Sequence, residues 1–143
     1  MTQFSVPIPQ QPIGECFVWR DWLQKLGTWV STSGGSVSVS FTSGGGATIS
    51  ATLVEGIVVL DLPLYEEATT TSTLIITGLP SILRPTVTKR VITPVENRGI
   101  MSIGAVDITA AGILYFYPDQ TMSSFLPHGI KGFAKNSITY SLT

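Results

Sequence analysis

Cysteine, histidine and charge are all scarce in this chain. Of its 143 residues one is cysteine, one is histidine, and Asp, Glu, Lys and Arg together make up 12%. A lone Cys16 excludes an intrachain disulfide, so stability has to come from packing or association. With His128 as the only imidazole, a histidine metal site or a base oriented by a second group lacks its partners. A net charge of −1, with the cations scattered, leaves no electrostatic footprint for nucleic acid. The longest apolar stretch, residues 56–64, is too short to span a bilayer, and MTQFSVPIPQQP lacks the basic and apolar regions of a secretory signal. The expectation is a protein made in a cytoplasm, with neither membrane nor nucleic acid as partner.

What remains is apolar and small-polar. Hydrophobic residues make up 43% of the chain, enough for a core. With so little charge, the surface must be Ser, Thr and Gly or be covered by other subunits. Both suit strands better than helices.

Residues 1–13 read as an extended arm. Pro7, Pro9 and Pro12 fix φ and remove amide donors, while Phe4, Val6 and Ile8 are interleaved with them and call for a surface to lie on. Residues 14–31 carry the one convincing helix, with Trp19, Trp22, Leu26 and Trp29 spaced three, four and three apart along one seam. A helix of this length is marginal alone. It either docks on the β-domain or bundles with copies of itself.

Residues 32–143 read as one β-domain. SVSVSFT (36–42) and ATISATLV (47–54) alternate cleanly, Glu55-Gly56 is a tight turn, and IVVLDLPLY (57–65) follows, so these three predict a meander. EEATTTS reads as a polar loop. Further strands are predicted over 74–80, 86–97 with Pro94 at an edge or bulge, 99–109, 113–118 and 133–142, with a looser loop over 119–132. About eight strands with closely spaced turns call for a mainly β fold, an antiparallel β-sandwich or jelly roll.

Catalytic chemistry finds little support. Glu66-Glu67 is the only adjacent acidic pair, and neighbours on a strand face opposite ways, whereas glycoside hydrolysis needs two carboxylates across a cleft. No Gly-x-Ser-x-Gly elbow occurs, and the Gly runs lack the lysine of a phosphate loop. The reading is a non-enzyme with no cofactor and no metal. In ILYFYP, Tyr115 and Tyr117 share one face and could stack on a glycan or pack at an interface.

Several stretches in order carry a resemblance: GIVVLDLPL, LIITGLPSILRPT, VITPVENRGIMSIGAVDITAAGILYFYP and the closing FLPHGIKGFAKNSITYSL. From about residue 57 the chain resembles the β-sandwich heads of phage tail-fibre, neck-appendage and capsid-decoration proteins. PIPQQPIGECFVWRDWLQKLG resembles the Pro-rich arm and tryptophan helix of some small virion proteins. The resemblance implies a homotrimeric jelly-roll head, similar to those of tumour necrosis factor and complement C1q, in a virion. Its implied partners are itself, other capsid, neck or tail proteins, and a host glycan. Phe4, Val6, Ile8, Trp19, Trp22, Leu26 and Trp29 are the candidate assembly residues, and Tyr115 and Tyr117 the candidate glycan contacts.

Overall fold

The meander expected between residues 36 and 65 is present, with its third strand ending at Leu62. In a computed structural model that describes residues 20–26 and 36–143, β1 (Ser36–Thr42), β2 (Thr48–Val54) and β3 (Ile57–Leu62) pair in sequence order, antiparallel. Glu55 and Gly56 both have positive φ, 49° and 78°, the two-residue hairpin geometry that matches strand twist. The expected arm, with Phe4, Val6 and Ile8, and also Trp19 and Trp29, lie outside the described residues. Residues 20–26 are helical, with an exposed Asp21–Lys25 ion pair of 3.0 Å one turn apart. Trp22 and Leu26 are half-buried there.

Pro63 breaks the long strand predicted over 57–65. The chain leaves β3 at Leu62 and enters the second sheet as β4 (Tyr65–Ala68), so Glu66 and Glu67 belong to a strand and not to the predicted polar loop. The remaining elements are β5 (Leu74–Ile76), a 3-10 turn (Ser81–Leu83), β6 (Lys89–Asn97), β7 (Ile100–Ile108), β8 (Leu114–Tyr117), β9 (Ile130–Phe133) and β10 (Asn136–Ser141). β9 spans the last three residues of the predicted loop 119–132 and the first of the strand predicted over 133–142. Its four residues contain a glycine and a lysine, too short and too mixed for a pattern to register.

The strands form two antiparallel sheets, ordered β1-β2-β3-β10 and β4-β9-β6-β7-β8-β5. From β3 onward the pairing is nested: β3 with β10, β4 with β9, β5 with β8, and β6 with β7. The innermost turn is Arg98-Gly99, again with both φ positive. Pro94 lies inside β6, which is paired with β7 along its whole length but with β9 only from Val95. The Pro94 carbonyl accepts the Ala134 N–H at 3.4 Å, so its missing donor is on the side where the ladder has ended.

The two inner faces meet in one core. Ile49, Val58, Leu60 and Ile138 come from the four-stranded sheet, and Ile76, Val95, Val106, Leu114, Phe116 and Phe133 from the six-stranded one. Phe116 and Phe133 stack with ring centroids 4.6 Å apart. Leu79, Leu83 and Phe125 close the ends from the loops. Each such side chain contributes about 1.5–3 kcal/mol by leaving water.

Candidate assembly surface

The outward face of the six-stranded sheet follows from the cross-strand register. One row reads Ile75, Tyr115, Asp107, Arg90; the next reads Tyr117, Ala105, Ile92. Then come Ile103 opposite Pro94, and finally Met101, Glu96, Gly132 and Glu66. In a sandwich this face normally carries polar residues. Here its middle is apolar, and Ile92, Ile103 and Met101 are 59%, 65% and 51% exposed.

Charge is confined to the two ends. At one, Arg90 meets Asp107 in a bidentate pair, both contacts 2.6 Å, and its guanidinium lies 5.9 Å from the Tyr117 ring centroid. Burial, then the nearby Asp107 carboxylate, pushes the Tyr117 hydroxyl pKa up. At the other end, desolvation and then Glu66 raise the Glu96 carboxyl above its ordinary value. Sequence reading missed this patch, because neither VITPV nor IMSIGAV alternates regularly between apolar and polar residues, so the pattern does not assign their faces. The available signal was that their outward positions, Ile92, Pro94, Met101 and Ile103, are apolar without exception.

Tyr115 and Tyr117 lie side by side on this face, both half-buried, as the alternation predicts. A small cleft of about 60 Å³ beside them is floored by Leu74 and Phe116 and rimmed by Ser123 and Ser124. The same two serines border a larger hollow of about 480 Å³ lined also by Asn97, Ile100, Asp119 and Leu126. Glu66 points outward and Glu67 inward, where Glu67 accepts the Tyr65 hydroxyl at 2.9 Å, so the two do not share a cleft. His128 is exposed at a φ of 64°. Among the described residues no group of three potential ligands comes together, and no helix is long and apolar enough to cross a membrane.

No protein-family model matches the chain, and no curated protein matches it.

Proposed function

We propose that the chain is a structural component of a bacteriophage virion: a homotrimer serving as a short appendage or fibre, or as a capsid decoration protein. The arm and helix, through Phe4, Val6, Ile8, Trp19, Trp22, Leu26 and Trp29, attach it to other virion proteins or knit the trimer. The β-domain projects outward. The nested pairing of the last eight strands supports a jelly-roll reading of the head, an architecture that recurs in viral capsid domains.

The observation that carries the proposal is the apolar outer sheet face in a chain with only 12% charged residues. Contiguous exposed apolar patches mark interaction sites in soluble domains. A second copy of the chain is its occupant in this reading. Light scattering on a sizing column tests it, using the full chain and a version lacking residues 1–30. Three chains in both make the β-domain the trimerising unit. Three that fall to one on truncation make the tryptophan seam the glue. One chain in both sinks the trimer.

A second reading, a host-glycan-binding tip, is favoured by one observation: Tyr115 and Tyr117 are adjacent, outward-facing and only half-buried beside a serine-rimmed cleft. Titration with oligosaccharides separates the two. Saturable binding lost in Tyr115→Ala supports the tip, and no binding by the assembled protein removes it.

A further inference from the structure

Beyond the row Tyr65, Phe133 and Val95 on the inner face of the six-stranded sheet lies a polar row: Glu67, Lys131 and Asn97, on β4, β9 and β6. The Arg98 N–H donates to the Ile130 carbonyl at 2.7 Å, which makes Asn97 and Lys131 a non-hydrogen-bonded pair. Such pairs sit about 4.5 Å apart at Cα, with the closest side chains in a sheet.

Lys131 is 2% exposed. Its Nζ donates to the Thr71 carbonyl and, at 3.2 Å, to the Thr71 hydroxyl, with the Phe125 ring centroid 5.9 Å away. Among the described residues the ion pairs are Lys25–Asp21 and Arg90–Asp107, and Lys131 is in neither. A charge held there against a carbonyl and a hydroxyl is costly, and burial lowers the lysine pKa against a smaller upward pull from the Glu67 carboxylate, which eases loss of the proton that the amine must shed before it can act as a nucleophile. Asn97 is prepared from the other side. Its Oδ1 accepts the Leu126 N–H at 3.2 Å, a donor placed where negative charge would develop on attack at Cγ. Glu67, opposite Lys131 on β4, supplies a carboxyl group.

We propose that Lys131 and Asn97 condense within the folded chain to form an isopeptide bond, with Glu67 as the proton carrier. The Lys131 amine turns from Thr71 and attacks Asn97 Cγ, forming the N–C bond. Glu67 takes a proton from that nitrogen and delivers it to the departing amide nitrogen. The Cγ–N bond then breaks and ammonia leaves. Nothing is oxidised or reduced, and no cofactor is needed. The product replaces a buried amine by a neutral amide and ties β9 to β6 covalently.

Intact-mass spectrometry of the purified, unfolded full chain tests this. The expected mass is lower than that of the sequence by one ammonia, and digestion releases a branched peptide joining the segments around Asn97 and Lys131. Lys131→Met and Asn97→Ala restore the full mass, and Glu67→Gln leaves most molecules unreacted, with circular dichroism reporting that each variant folds. A folded wild-type chain at its full sequence mass overturns the proposal. So does an ammonia deficit that persists in Lys131→Met, which would mark a cyclised Asn97 instead of a cross-link.

Discussion

Tyr140 shows how much can rest on one hydroxyl. Its ring is buried in the core, and its O–H donates to the Leu83 carbonyl at 2.6 Å, fastening the 3-10 turn across the end of the sandwich. Tyr140→Phe leaves that carbonyl without its donor, with an expected cost of about 1–2 kcal/mol in a denaturant titration. Burial also raises the tyrosine pKa above its ordinary 10.0. The folded state then holds a proton that the unfolded state gives up. The stabilisation is complete below that ordinary value and drains away as pH rises beyond it, so the phenylalanine variant should show a flatter alkaline limb. Two glycines matter through space instead. A Cβ at Gly132 would overlap the Tyr65 carbonyl, and one at Gly104 the Tyr117 carbonyl. Either glycine replaced by alanine should cost about 1–3 kcal/mol, read as a lowered denaturation midpoint.

At the scale of elements, the segment between β8 and β9 is held by one carboxylate and two backbone anchors. Asp119 accepts the Thr121 N–H at 2.9 Å, its hydroxyl at 2.7 Å, and the hydroxyl and N–H of Ser123. The Ser123 hydroxyl first, then that of Thr121, hold the Asp119 pKa down at about 2. Farther on, the Phe125 N–H donates to Ser72 at 3.0 Å and the Leu126 N–H to Asn97 at 3.2 Å. The ordering that Asp119 contributes is present above the ordinary carboxylate value of 3.8 and is lost as pH falls toward 2. Carboxyl NMR should find the Asp119 midpoint well below that of free aspartate. Asp119→Ala should speed amide exchange at Thr121 and Ser123 at neutral pH while leaving the β6–β7 hairpin protected.

For the whole molecule, the proposed trimer makes the outer sheet face the surface through which copies meet. Ile92 and Ile103 are largely exposed, so Ile92→Lys with Ile103→Lys should leave the melting temperature of the fold nearly unchanged yet drive a trimer to monomers on a sizing column. Acidification should act the other way. Covering the face buries Glu96 near Glu66, and the Glu96 pKa is already raised, so self-association should strengthen as pH falls into the carboxylate range and lose that dependence in Glu96→Gln. A pH-independent mass with Glu96 intact would place the contact elsewhere.

The mainly β class, the antiparallel meander of β1 to β3, the two-residue hairpin at Glu55-Gly56 and the shared face of Tyr115 and Tyr117 were legible from local pattern. Each depends on residues within a few positions of one another: period-two alternation, a Gly able to take positive φ, neighbours that must point apart. Other features were settled only in three dimensions. Pro63 could be read as a break, but not as the point where the chain crosses between sheets. β9 owes its existence to β4 and β6 on either side, because four residues with a glycine and a lysine carry no strand signal alone. The apolar outer face and the row Glu67, Lys131 and Asn97 assemble from strands up to 66 positions apart, from 66 to 132. Register across a sheet is set by how distant strands bury their inner faces together, and no stretch of local sequence contains that information.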